Sequence, residues 1–260
     1  MYSDSYRDSF LQTLAPRTRS MRNKTAPILA ALVVTSLAGS ALRAQGSTTG
    51  SFVTTLGRDT LAIEQYTRDA KSLEGDYVVR PGGTIVNHYI VHFGADGTPL
   101  HVILTQKRAD GSPIPGLKSV ELTVNASDAV IVVQRDTAVT RKFAVQKPLP
   151  LLGTSFGLLE LALARLRSEK ADSGAFPGLP LNARELPLPV PVKFFGADSA
   201  RFWDSKGAWY LRVDQTGKIF GFSGRATDTH IEGRRVATLD VAKLITAFGA
   251  ADVAGKGIPN

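Results

Sequence analysis

The chain has 260 residues, is 43% hydrophobic and 21% charged, and carries a formal net charge of +8 with no cysteine. The missing thiol excludes disulfides, thiol nucleophiles, Cys-ligated zinc and iron–sulfur clusters, and with them the lipid-bearing Cys of a bacterial lipoprotein. Much of the charge sits at the start: residues 1–44 hold six Lys/Arg and two Asp/Glu, so the formal +8 falls to +4 for residues 45–260, without the dense basic run and interleaved aromatics of a nucleic-acid binder.

Residues 21–45, MRNKTAPILAALVVTSLAGSALRAQ, have the layout of a secretory signal peptide. Arg22 and Lys24 form a short basic region, an uncharged and mostly apolar run extends from Thr25 to Leu42, and small residues follow. Cleavage after Ala41, with Gly39 two positions before it, fits the small-x-small rule; cleavage after Ala44 is the alternative. Pro27, Thr35 and Ser36 interrupt a run barely long enough to span a bilayer, so no stable membrane anchor is expected after cleavage. Met21 is a natural start, and residues 1–20 are set aside from the fold. The expected location is periplasmic or extracellular.

From 45 to 260 the pattern is that of one β-rich domain. Short β-type runs cover Ser51–Leu56, Thr60–Tyr66, Gly75–Val79, Thr84–Phe93, Leu100–Lys107, Ser119–Val124, Ala129–Gln134 and Arg141–Gln146. Turn signals such as Pro81-Gly82-Gly83 and Asp110–Gly116 separate them, which predicts an antiparallel meander. A helix is predicted from Ser155 to about Lys170, with Leu158, Leu159, Ala162, Leu163 and Leu166 at helical spacing. Burying five such side chains is worth about 8–12 kcal/mol before entropy. Residues 176–193, FPGLPLNARELPLPVPVK, contain five prolines and read as extended chain that cannot be a central strand. That segment either links subdomains or lies across a sheet and buries its leucines. A second β region runs from Val192 to about Val236, with turns expected at Gly196–Ser199, Asp204–Gly207, Asp214–Gly217 and Ser223-Gly224. Asp240–Ala251 is a candidate short helix with Asp240 as its cap.

The expected fold is mainly β: an antiparallel curled sheet, half-barrel-like, with one long amphipathic helix on its concave side and a short C-terminal helix. The stretches 56–80, LGRDTLAIEQYTRDAKSLEGDYVVR, and 247–257, AFGAADVAGKG, resemble segments of uncharacterised exported β-rich proteins of environmental Gram-negative bacteria. The layout is similar to that of periplasmic lipoprotein carriers. The resemblance implies an exported β domain and brings no activity or site residues.

Three constellations carry chemistry. Gly153-Thr154-Ser155-Phe156-Gly157 matches G-x-S-x-G, and the chain order Ser155, Asp214, His230 suits a hydrolase triad. Against it, Lys147-Pro148-Leu149-Pro150 cannot form the central parallel strand that aims such a serine, and no alternating strand–helix units precede it. Thr154 or Ser155 as a helix cap is the favoured reading. His88 and His92 share a strand face, and His101 lies on the next strand. A two-residue turn at Ala95-Asp96 would place His101 opposite Ile90 on that face, where three imidazoles can hold zinc. A turn with a Gly bulge at Gly97 would place it opposite Val91, facing away, and x-Asp-Gly suits that form better. Phe194, Trp203, Trp209, Phe220 and Phe222 crowd the second β region and either line an apolar ligand cavity or fill the core. Carboxylates such as Glu64, Glu74 and Asp76 are candidates for a glycosidase pair, but scattered strand acids are expected to face solvent.

No phosphate loop, dinucleotide fingerprint, H-E-x-x-H or calcium loop is present, so no cofactor is expected. The sequence points to an exported, non-catalytic protein that binds an apolar small molecule or lipid, or serves as an interaction module. A serine hydrolase using Ser155 and His230 is the first alternative, and a metal site on His88, His92 and His101 the second. The sequence leaves the oligomeric state open.

Overall fold

The short β-type runs pair into a single sheet. A computed structural model describes residues 46–181, 186–204, 207–226 and 229–258; the leader expected at 21–45, with its start at Met21, lies outside the described residues. In chain order the strands of the first half are β1 (Thr48–Leu56), β2 (Asp59–Arg68), β3 (Ser72–Val79), β4 (Ile85–Phe93), β5 (Pro99–Arg108), β6 (Ser119–Val124), β7 (Ala129–Gln134) and β8 (Val139–Phe143). After β9 (Leu149–Leu151) and α1 (Phe156–Ser168) come β10 (Ser173–Pro180), β11 (Leu188–Phe195), β12 (Ser199–Asp204), β13 (Gly207–Val213), β14 (Ile219–Ala226), β15 (Thr229–Val236) and α2 (Val241–Val253).

The strand order is β8-β7-β6-β5-β4-β3-β2-β1-β15-β14-β13-β12-β11-β10-β9, and the sheet does not close. Two meanders, β1–β8 and β10–β15, are thus joined by one long-range antiparallel pair, β1 with β15, in which Phe52 faces Arg235. Among the described strands only β9 runs parallel to its neighbour, β10. Both ends of the sheet are blunted. β8 exposes Arg141 and Lys142, and β9 is three residues long with a proline at its centre, features that oppose edge-to-edge pairing.

The sheet has two differently covered faces. On the concave face Phe52, Tyr66, Leu73, Tyr89, Val102 and Leu122 join the buried residues of α1 in one core. On the convex face Ile63, Val78 and Val86 meet Phe248 of α2, with Leu244 and Ile245 beside it. Period-two alternation produces this division directly, since Ala62, Glu64 and Tyr66 point in where Ile63 points out.

α1 is surrounded on most sides. Phe156, Leu158, Leu161, Leu163 and Leu166 are buried, and so are Gly157 and Glu160. It ends at Ser168 rather than near Lys170. Lys170 takes a left-handed conformation at φ 52, and the bonds Lys170 N–H to Arg167 O (3.0 Å) and Ala171 N–H to Leu166 O (3.3 Å) close the helix as a Schellman motif. α2, capped by Asp240, has 13 residues, as many as α1, so the C-terminal helix is not the shorter one.

Two expectations about the second half are corrected. The proline-rich segment is neither a linker nor a strap across the sheet; over its described residues it forms most of β10 and β11, with Pro177 opposite Pro189. β11 is an interior strand, yet its ladder to β12 begins at Val192. Over Pro189 and Pro191 it is therefore paired on one side only, where a missing N–H is tolerated. Ser223-Gly224 is not a turn but the middle of β14. Gly224 is needed for closeness: a Cβ there would lie 2.4 Å from the Trp209 ring that covers it.

Candidate functional site

The G-x-S-x-G stretch folds as a helix start held by a buried carboxylate. Ser155 is the N-cap of α1 (φ −63, ψ 119), and its Oγ accepts the Leu158 N–H at 3.5 Å. The same hydroxyl donates to Oε1 of Glu64 at 2.5 Å. Glu64, on the inward face of β2, also receives the Phe156 N–H at 2.5 Å, the Gly157 N–H at 3.3 Å and the Tyr89 hydroxyl at 2.6 Å. A carboxylate at a helix N-terminus meets free N–H groups and the positive end of the helix dipole. The second glycine of the motif lets the helix approach this closely, since a Cβ on Gly157 would lie 2.7 Å from the Tyr89 hydroxyl. Tyr77 completes the anchor, with its hydroxyl 3.0 Å from Thr154 Oγ1.

Glu64 is 1% exposed, which corrects the expectation that it faces solvent. Burial pushes its carboxyl up to about 6, against the opposing pull of the Ser155, Tyr89, Phe156 and Gly157 bonds. Burial likewise raises the Tyr89 and Tyr77 phenols.

This arrangement supports the cap reading of Ser155 over a nucleophilic serine. The Phe156 and Gly157 N–H groups, placed where an oxyanion would have to bind, are taken by Glu64. No base reaches Ser155 from His230. That histidine is exposed on β15 and meets Glu232 Oε1 at 3.0 Å, on the convex side, whereas Ser155 is on the concave side. The prolines expected to spoil the preceding strand lie in and beside the short edge strand β9.

A second buried carboxylate holds the middle of α1. Glu160 accepts the Ile219 N–H at 2.5 Å and bonds from the Tyr66 hydroxyl and the Arg235 guanidinium. Arg235 also donates to Ile219 O at 2.7 Å and to the Tyr66 hydroxyl at 3.2 Å, and it lies over the Phe52 ring at 4.4 Å. Burial and the Glu160 charge raise the Tyr66 phenol. Burial works against the Arg235 charge, but Glu160 and Tyr66 outweigh it and raise the guanidinium pKa. These three side chains line an open groove of about 750 Å³ that also reaches Arg68, Phe93 and Lys218.

A smaller space opens beside the first turns of α1. It is a crevice of about 70 Å³ between Leu151–Leu159 and the strands carrying Phe176, Val190, Phe202, Trp209 and Phe222. An aromatic series runs into it: Phe52 on Phe156 (4.4 Å), Phe156 on Phe222 (4.8 Å), Phe222 on Trp209 (5.5 Å) and Trp209 on Phe202 (6.2 Å). Trp209 is 1% exposed, and its indole N–H has no acceptor among the described residues.

Of the five aromatic candidates, Trp209 and Phe222 line this crevice. Phe194 is buried apart from it, under the Arg167 guanidinium at 3.7 Å. Trp203 follows Phe202 on β12 and so faces the convex side, where Arg201 lies over it at 4.6 Å. Phe220 is exposed beside a bulge, where Val213 faces Ile219. The five do not form one cavity lining. Phe156 and Phe176 belong to the crevice instead, from a helix and a strand that the aromatic cluster in the sequence does not include.

The histidines follow neither expected register. The hairpin closes through Gly94 N–H to Thr98 O (2.9 Å) with Gly97 left-handed at φ 74, and His101 pairs with His92 rather than with Ile90 or Val91. His92 and His101 stack, rings 6.1 Å apart. His88 shares their convex face but turns away to Asp76 Oδ1 at 3.0 Å, so the three do not converge. Among the described residues no cluster of three metal-ligating side chains occurs.

No protein-family model matches the chain, and no curated protein matches its sequence. Among solved structures, a beta-barrel-like protein of a domain of unknown function, DUF1849, from Brucella abortus is similar at TM-score 0.50 and 12% identity, over 75% of this chain and 98% of its own. A DUF1089 family protein from Pseudomonas aeruginosa is similar at TM-score 0.45 and 14% identity, over 62% of this chain and 89% of its own. The first likeness concerns the fold: a β-rich, barrel-like architecture found in a protein of unknown function from a Gram-negative bacterium.

Proposed function

We propose that the protein is an exported, non-catalytic binding protein for an apolar small molecule or a lipid acyl chain, taken up in the crevice between the first turns of α1 and the aromatic strands β10 to β14. One observation carries this reading: the crevice is walled by aromatic and aliphatic side chains, and one of them, Trp209, has a buried indole N–H with no acceptor among the described residues. A buried donor left unpaired costs about 1–3 kcal/mol. A ligand that brings an oxygen, such as an ester or carboxyl carbonyl, would satisfy it while burying its chain against Phe156 and Phe222. At about 70 Å³ the space admits only the end of a chain, so a longer ligand requires the Leu149–Leu152 segment, ahead of the anchored Thr154 and Ser155, to move outward. That segment is suited to do so, because β9 is a three-residue edge strand. Export rests on the leader pattern at 21–45 and is part of the same proposal.

The test is native mass spectrometry of the protein secreted under its own leader and purified without detergent. An adduct of lipid mass is expected, released on denaturation and depleted in Trp209→Phe, which keeps a ring and removes the donor. A second readout is the emission of Trp209 in a Trp203→Phe background during titration with a monoacylglycerol. A bare chain mass together with unchanged emission would overturn the proposal.

A further inference from the structure

The opposite face of the same strands carries a surface that composition does not show. Antiparallel register sets Lys193 of β11 beside Arg201 of β12, and Arg201 beside Tyr210 of β13. In the next row Arg212 of β13 and Arg234 of β15 flank Gly221. The Arg212 guanidinium reaches over that glycine: a Cβ on Gly221 would lie 3.1 Å from Arg212 Nη2. None of these four cations forms an ion pair with an acid among the described residues. Glu232, the acid in the same rows, is engaged by His230.

Aromatic rings stand between the cations. Tyr210 is 53% and Phe195 48% exposed. The Arg201 guanidinium lies 5.0 Å from the Tyr210 centroid, and the Lys193 ammonium 5.3 Å from that of Phe195.

We infer that the convex face of β11 to β15 docks on an anionic phospholipid bilayer. Four cations without an ion pair among the described residues, in two adjacent rows, complement a layer of phosphate headgroups. The half-exposed rings select a bilayer over a purely polar polyanion. Phe195 has no polar atom and gains free energy only where an apolar phase lies just below the charge, while Tyr and Arg suit the interface itself. No helix among the described residues is long and apolar enough to cross a membrane, and the attachment inferred here is peripheral and reversible. It stands independently of what occupies the crevice, although it would present the crevice-bearing strands to a membrane.

Co-sedimentation with vesicles tests it, using the full chain as secreted, on phosphatidylglycerol-containing vesicles and on pure phosphatidylcholine vesicles. Binding is expected to the first and not the second, and to fall with added salt. Each cation near an anionic surface strengthens binding about fivefold, so the pair Arg201→Gln and Arg212→Gln should weaken it about 25-fold. Lys107→Gln, on β5 outside this face, should leave it unchanged, and Tyr210→Ser should weaken it without altering net charge. Circular dichroism and the melting transition establish that each variant folds; if the Arg201 variant does not, Arg234→Gln paired with Arg212→Gln replaces it. Three outcomes overturn the inference: no binding of the wild-type chain to anionic vesicles, equal weakening by Lys107→Gln, or tighter binding to a soluble polyanion such as a DNA oligonucleotide than to the vesicles.

Discussion

Ser155 and Glu64 share one hydrogen bond of 2.5 Å, and through it the cap of α1 is tied to the inward face of β2. The bond gives a motif with hydrolase spacing a structural role: the Ser155 hydroxyl and the Phe156 and Gly157 N–H groups are directed at one buried carboxylate. Mutating Ser155 to Ala should cost about 1–2 kcal/mol, for the lost cap and for a Glu64 oxygen left with fewer donors. A serine-reactive phosphonate should leave the wild-type chain unlabelled under conditions that label a serine hydrolase. Labelling that disappears in Ser155→Ala would count decisively against the structural role.

Glu64 should make stability depend on pH in an uncommon direction. Its ordinary value is 4.5 and its folded value about 6, so between those values the folded state binds more protons than the unfolded one. Stability from this group is fully present below about pH 4.5 and is lost as pH rises through about 6, by about 2 kcal/mol in all. Exposed aspartates with lowered values, such as Asp69 and Asp110, act in the opposite sense, so the informative quantity is a difference. Urea unfolding of wild type and Glu64→Gln at pH 4.5 and pH 7 should show the wild type losing ground by that amount. Parallel curves would mean that Glu64 does not titrate in this window.

The Glu160–Arg235 pair should behave as a buried ion pair. Arg235→Met leaves Glu160 beside Tyr66 without its cation, at an expected cost of about 3–5 kcal/mol. Adding Glu160→Leu removes the stranded charge and should recover much of that loss. A double-mutant cycle by chemical denaturation measures it, and strictly additive effects would refute the coupling.

Gly233 on β15 is the seat of Phe222. A Cβ at that position would come within 1.8 Å of the ring, which is backbone-adjacent overpacking worth about 1–3 kcal/mol or more. Gly233→Ala should therefore be markedly destabilising alone and much less so in a Phe222→Leu background. The melting temperatures of the four proteins in this cycle report the result.

Features governed by neighbours a few residues apart were legible in the chain. Two strands, Ser119–Val124 and Ala129–Gln134, match to the residue, because alternation and flanking turn residues act locally. The Ser155 and Asp240 caps are legible for the same reason. The histidine register was not legible: the turn takes the Gly-bulged form, with Gly94 opposite Thr98, but a second irregularity between the Phe93–Pro99 and His92–His101 pairs shifts the ladder by one more residue, and that offset decides which side chains face each other. Nor was Glu64: between Ile63 and Gln65 it reads as an ordinary strand acid, and only the arrival of the helix N-terminus on its face gives the carboxylate donors enough to be buried. Alternation does place Glu64 with Ala62 and Tyr66, and an acid in line with inward residues is the signal that could have marked it.

The amino-acid sequence alone determined the material of this protein: a β-rich chain without thiols, one leucine-rich helix with a serine cap, and a second helix starting at Asp240. Those are properties of periodicity and composition, settled within one or two turns or strands. Tertiary structure decided what the pieces mean. The pairing of β1 with β15 joins the two ends of the described chain and brings Arg235 over Phe52. The curl of the sheet carries Glu64 to Ser155, and the register of β11 to β15 gathers four separated cations on one convex face. Each of these depends on contacts between residues far apart in the chain, whose free energy is realised only when the whole sheet has curled over α1.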